Sequence, residues 1–208
     1  MANGYPVPSG PAQIELLFRN SRFIGIAGPA ATADEAKAFI AIMRKRFADA
    51  SHHVYAFAAG YGASVVHGMS DDGEPSGTAG RPALAVVKGA GLGDVVVVLV
   101  RYFGGTKLGT GGLVKAYTAT TQAVLAALVC HEKFQAAAVR VVLPYELLQQ
   151  GKGLLENEKA VIDAETFGTQ VVIDATVRQE RVEALAQAFQ QLSAGRVELE
   201  RLDAAQES

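Results

Sequence analysis

Apolar positions along the chain follow two rhythms, a period of two that marks strands and a period of three to four that marks helices. Ile14–Arg19 and Phe23–Ala27 follow the first, with the polar pair Asn20 and Ser21 between them as a hairpin turn. Thr32 followed three residues later by Glu35 forms a capping box. Ala36, Phe39, Ile40, Met43 and Phe47 then recur at helical spacing, which predicts a helix over about 33–48. Arg44, Lys45 and Arg46 fall in its last turns, where cations complement the helix dipole and are read as a solvated helix end. His53–Ala59 and Ala63–Met69 read as a strand pair across Gly60-Tyr61-Gly62, followed by a polar loop from Ser70 to Gly80. Pro82 suits the first turn of a short helix to about Lys88, which Gly89, Gly91 and Gly93 terminate. Asp94–Tyr102 holds six consecutive valine or leucine residues and reads as a central strand buried on both faces. Gly104–Gly112 is expected to be a loop, and Leu113–Val129 a helix with an apolar stripe through Ala116, Thr120, Val124 and Leu128.

The tail gives the order strand, helix, strand, strand, helix, strand over Ala138–Pro144, Tyr145–Asn157, Ala160–Thr166, Thr169–Val177, Gln179–Leu192 and Arg196–Leu202. That is the βαββαβ arrangement of a ferredoxin-like domain. The expectation is an α+β protein of two domains, 13–133 and 138–204, preceded by a flexible arm over 1–12 in which Pro6, Pro8 and Pro11 interrupt any periodicity.

Composition changes this picture little. Half the residues are hydrophobic and 19% are charged, as in folded domains rather than disordered chains. No apolar run approaches the roughly 20 residues needed to span a bilayer, and the first ten residues lack the pattern of an export signal. A cytoplasmic protein without membrane contact is expected. The single cysteine, Cys130, has no internal disulfide partner and reads as a packed thiol on a helix. The net charge of -2 conceals an asymmetry: residues 1–137 carry 12 Lys/Arg against 9 Asp/Glu, net +3, and residues 138–208 carry 7 against 12, net -5. A phosphate-bearing partner would therefore meet the first half.

Eleven of the 22 glycines lie between Asp71 and Lys115, in two loops that each run into a helix: Ser70–Arg81 and Arg101–Gly112. Glycine-rich loops before helix N-termini present backbone N–H groups and the positive end of the dipole to anions. Arg81, Arg101, Lys107 and Lys115, with Gly104, Gly105, Gly109, Gly111 and Gly112, are the candidate phosphate contacts. The second loop lacks the Lys-Ser/Thr pair that would follow Gly109 in a Walker A motif, and Val114 stands where a Rossmann fingerprint needs glycine. The alternative is that these glycines serve only tight turns and close helix packing. Tyr102 and Phe103 could stack on bases or close the core.

A catalytic reading would use His52, His53, His67, Asp71, Asp72 and Glu74 as acid–base groups or metal ligands, with Ser76 or Thr78 as nucleophile. No spacing among them matches a known metal motif, and adjacent His52 and His53 on a strand point to opposite faces. Asp-Asp-Gly-Glu-Pro-Ser-Gly also forms turns for local reasons. No catalytic residue, metal or cofactor is assigned.

His52–Phe57, Asp71–Pro82 and Val100–Tyr117, together with Ser21–Ile24, closely resemble the YigZ/IMPACT family over most of the chain. The resemblance implies a first domain of the ribosomal-protein type, also found as domain four of elongation factor G, and a ferredoxin-like second domain. His53 departs from the asparagine of many members, and Thr118 from a glycine that often follows Ala-Tyr. Eukaryotic members are implicated in translational control under nutrient stress, and bacterial ones are proposed to bind nucleic acid or the ribosome. The expected function is thus non-enzymatic RNA or ribosome binding linked to regulation of translation. The alternatives are a hydrolase or other enzyme built on His52, Asp71, Asp72 and Glu74, metal-dependent or not, and a protein-partner module acting through the acidic second domain.

Overall fold

The valine-rich run from Val95 to Val100 is wholly buried and organises the first of two units, which divide between Lys133 and Phe134. The computed structural model describes residues 4–202. In the first unit the elements are β1 (Tyr5–Pro8), β2 (Ala12–Phe18), β3 (Ser21–Pro29), α1 (Ala33–Arg46), β4 (His52–Ala59) and β5 (Val66–Ser70), then α2 (Gly80–Gly89), β6 (Val95–Tyr102), α3 (Gly109–Ala126) and β7 (Cys130–Lys133). Five strands form one antiparallel sheet in the order β2-β3-β6-β4-β5, with β6 at its centre.

The strand period of two sorts the core into layers. Val95, Val97 and Leu99 pack with Phe23, Val54, Ala56 and Tyr117 under α2 and α3, while Val96, Val98 and Val100 pack with Ala36, Ile40 and Met43 of α1. At the start of α1, Thr32 Oγ1 accepts the Glu35 N–H at 3.1 Å, the N-cap half of the predicted capping box, while the Glu35 carboxylate accepts the N–H of Ala31, one residue before Thr32, at 2.8 Å.

Three local expectations are corrected. Residues 1–3 of the expected arm lie outside the described residues, but Tyr5–Pro8 form a strand paired with β7, and Tyr5 stacks on Tyr61 with centroids 4.4 Å apart. Its two prolines are tolerated because this ribbon is separate from the main sheet. Cys130 is exposed on β7 and not packed on a helix, since the helix ends at Ala126. At its other end α3 starts at Gly109, four residues before the predicted Leu113: burial of Leu113, Ala116 and Tyr117 overrides the poor helix propensity of the glycines.

The second unit contains β8 (Ala136–Leu143), α4 (Leu148–Asn157), β9 (Val161–Phe167), β10 (Val171–Arg178), α5 (Val182–Ser193) and β11 (Leu199–Leu202). Its antiparallel sheet has the order β11-β8-β10-β9, the ferredoxin-like order. Val139, Val141, Leu143, Ile173, Ala175 and Val177 alternate onto the face covered by Leu155, Leu185 and Phe189 of the helices. On the opposite face Arg140 grips Asp174 through two bonds of 2.6 and 2.7 Å.

Candidate functional site

The acidic loop after β5 is built around Asp71. Its Oδ1 accepts the N–H groups of Ala79 at 3.1 Å and Gly80 at 2.7 Å, and its Oδ2 accepts that of Gly77 at 2.8 Å, so this carboxylate caps α2. Burial opposes ionisation of Asp71, but the three N–H donors and nearby Arg81 outweigh it and hold its pKa below the ordinary carboxylate value. Gly80 is obligatory here, because a Cβ would lie 2.7 Å from the Ser70 carbonyl carbon.

Asp72 adopts a left-handed conformation (φ 46°), which aspartate tolerates better than most residues. Its carboxylate accepts the His53 N–H and the Arg44 guanidinium, each at 2.6 Å, and its carbonyl lies 2.8 Å from His52 Nδ1. Arg44 of the basic triplet is therefore a clasp on the acidic loop.

Glu74 is buried, and its Oε1 accepts both the Arg101 Nη1 donor and the Tyr117 hydroxyl at 2.7 Å. Arg101 was expected to face phosphate. It is only 5% exposed, because it continues the alternating face of Val95, Val97 and Leu99 that α2 and α3 cover. Its Nη2 donates to Ser21 Oγ at 3.2 Å, and the rings of Phe23 and Phe103 lie 5.5 and 5.4 Å from the guanidinium. Burial, reinforced by Glu74, raises the Tyr117 pKa far above that of a free phenol, so the hydroxyl is a fixed donor.

His52 and His53 do point to opposite faces. His52 Nε2 lies 3.9 Å from Glu74, while His53 Nε2 lies 2.9 Å from the Phe47 carbonyl. His67 pairs with Ala58, six residues along β4 from His52 and about 20 Å away at strand rise, so it belongs to a different place. Thr78 bonds the Pro75 carbonyl at 2.6 Å, and Ser76 is exposed. Among the described residues no three His, Cys, Asp or Glu side chains converge as a metal ion would require. Each carboxylate of the acidic loop thus accepts two or three donors from within the protein.

The second glycine loop is arranged differently. Gly104 passes so close to β2's turn that a Cβ would sit 1.6 Å from the Asn20 carbonyl oxygen. The loop is pinned there by Arg19, which donates to the Lys107 carbonyl at 3.0 Å, and by Asn20, which donates to Thr106 Oγ1 at 3.4 Å. Gly105 and Gly109 have positive φ, and Gly109, Gly111 and Gly112 form the first turn of α3. That turn has no side-chain cap and no acidic residue, and Lys107 and Lys115 stand exposed beside it. Arg81 is exposed in the first turn of α2. Phe103 is 48% exposed and Tyr102 donates to Asp49 at 2.8 Å, so of the aromatic pair only Phe103 presents much surface.

Tyr117, Ser21 and Arg44 were not among the sequence-derived site residues. A buried arginine demands an internal acceptor, and the spacing from Leu99 to Arg101 was the signal that could have found this cluster.

Comparison with known proteins agrees with this architecture. The Impact N-terminal domain matches residues 19–125, and a domain of unknown function (DUF1949) matches residues 141–196. An IMPACT family member of Haemophilus influenzae is 32% identical over 200 residues, covering 96% of this chain and 97% of that protein. The IMPACT family member YigZ of Escherichia coli is 46% identical over 112 residues, 53% of this chain and 55% of that one. A crystal structure described as a hypothetical protein, 32% identical, has a TM-score of 0.65 and covers 98% of this chain and 99% of its own. No helix among the described residues is long and apolar enough to cross a membrane. With one relative similar across nearly its whole length and a domain match across half the sequence, the chain belongs to the IMPACT family.

Proposed function

We propose that this protein binds RNA, on the ribosome, without catalysing a reaction on it, and so takes part in regulating translation in the cytoplasm. The observation that carries the reading is the start of α3: a glycine first turn with neither a side-chain cap nor an acidic residue, flanked by exposed Lys107 and Lys115. Uncapped N–H groups and the dipole favour phosphate oxygens, and glycines let a backbone approach closely. Arg81 at the start of α2 supplies a third cation on the same unit. Family membership supports the link to translation through what is implied for other members.

Arg101 holds Glu74 inside and leaves the set of phosphate contacts. Asp71, Asp72 and Glu74 each accept two or three internal donors that hold the loop, α2, β4 and α3 together, which favours a structural over a hydrolytic role for them. The test is co-sedimentation with purified ribosomes at rising salt, wild type against Lys107→Ala/Lys115→Ala. Salt-sensitive association that the double variant weakens is expected; no association at low salt would overturn the proposal.

A further inference from the structure

Helices α2 and α3 carry Arg81, Lys88 and Lys115 and not one acidic residue. Between them lies a groove of about 790 Å³, within the roughly 300–1,000 Å³ typical of ligand sites. Its walls are mainly aliphatic: Pro82, Ala85 and Val86 of α2 face Val114 and Leu125 of α3. Small residues keep it open, since Gly77, Ala85, Gly89 and Ala90 have no long side chain to fill it.

Three polar side chains line it, Arg81, Thr118 and Gln122. Elsewhere on α3, Thr120 and Thr121 bond back to the carbonyls of Ala116 and Tyr117 at 2.8 and 2.7 Å. Thr118 and Gln122 have no side-chain hydrogen bond among the described residues. Val114, Thr118, Gln122 and Leu125 form one stripe of the helix, so apolar walls alternate with unused donors and acceptors.

We infer that this groove is a nucleobase site: it receives unstacked bases of the single-stranded RNA whose phosphates meet Lys115, Lys107 and Arg81. The inference rests on the RNA-binding reading above. A base is flat and apolar on its faces and polar along its edge, which matches aliphatic walls broken by a hydroxyl and an amide. The amide of Gln122 offers both a donor and an acceptor to a base edge, and the Thr118 hydroxyl offers the same. The exclusively basic charge of the two bounding helices suits an occupant with a polyanionic backbone. An acidic peptide would satisfy the charge and could pair its backbone with Gln122, but Asp and Glu side chains have no flat apolar face to lie between the aliphatic walls.

The test compares a ten-residue single-stranded oligoribonucleotide with the same backbone made abasic, by fluorescence anisotropy at low salt, on wild type, Ala85→Leu and Gln122→Ala. Ala85 is exposed on α2, so leucine narrows the groove without entering the core, and circular dichroism checks the fold. Wild type is expected to bind the base-bearing strand at least about tenfold more tightly than the abasic one. Ala85→Leu should remove most of that preference and Gln122→Ala part of it. Equal, salt-sensitive binding of both strands by wild type would overturn the groove inference and leave the phosphate reading standing. Failure to bind either strand would overturn both. A base preference that both variants retain would place base recognition elsewhere and likewise overturn the inference.

Discussion

The two glycine-rich loops of the N-terminal unit both run into a helix, yet the first carries three carboxylates and the second none, and they use charge in opposite directions. In the loop of residues 70–80 every carboxylate is turned inward: Asp71 caps α2, Asp72 binds Arg44 and a β4 amide, and Glu74 takes Arg101 and Tyr117. In the loop of residues 103–112 the backbone is pinned to Arg19 and Asn20, while Lys107 and the first turn of α3 face outward. Glycine content marks where a backbone must approach something closely. Whether that partner is the protein itself or another molecule is decided by which charges are already matched.

The largest expected effect breaks the inward-facing loop. Arg101→Ala or Glu74→Ala leaves an uncompensated buried charge and should cost about 3–5 kcal/mol in urea unfolding. The joint replacement Arg101→Met/Glu74→Leu should cost less than either single change, because no charge is then left unpaired. A loss from Arg101→Ala/Glu74→Ala equal to the sum of the two single changes to Ala would mean that the ion pair is not the coupling.

Glycine substitutions sharpen the comparison within one loop. Gly104→Ala forces a Cβ against the Asn20 carbonyl and should cost about 1–3 kcal/mol, read as a fall in the unfolding midpoint. Gly111→Ala meets nothing within 4 Å inside a helix and should stabilise by roughly 0.5–1 kcal/mol.

The alternation of the strands made much of this legible. Six consecutive β-branched or leucine residues announced the central strand, and the tail's element order announced a ferredoxin-like sheet. The position of Arg101 was written in the same alternation, two residues beyond Leu99, but a cation beside a glycine loop suggested an external partner. What the chain did not display locally were long-range partners: Tyr117 lies 43 residues from Glu74, and Ser21 80 from Arg101. The early start of α3 was hidden for another reason. Glycine argues against helix by propensity, and only burial of Leu113 and Tyr117 reverses that preference.

A smaller effect concerns pH. The folded pKa of Asp71 is depressed, so its contribution to stability is present above the unfolded carboxylate value and is lost as pH falls through the folded one. Unfolding midpoints from pH 6 to pH 3 should therefore fall less steeply in Asp71→Asn, which starts lower at pH 6. An unchanged slope would show that Asp71 does not cap α2 as a carboxylate.

The smallest expected change in stability comes with the most informative change in binding. Lys107→Ala/Lys115→Ala touches only exposed side chains and should alter unfolding by no more than about 0.5 kcal/mol. The central claim is tested most directly by the salt dependence of single-stranded RNA affinity in this variant and in wild type. Loss of two phosphate contacts predicts weaker binding and a log–log salt slope shallower by about 1.4. An unchanged slope and affinity in the folded double variant would contradict the assignment of this loop to phosphate.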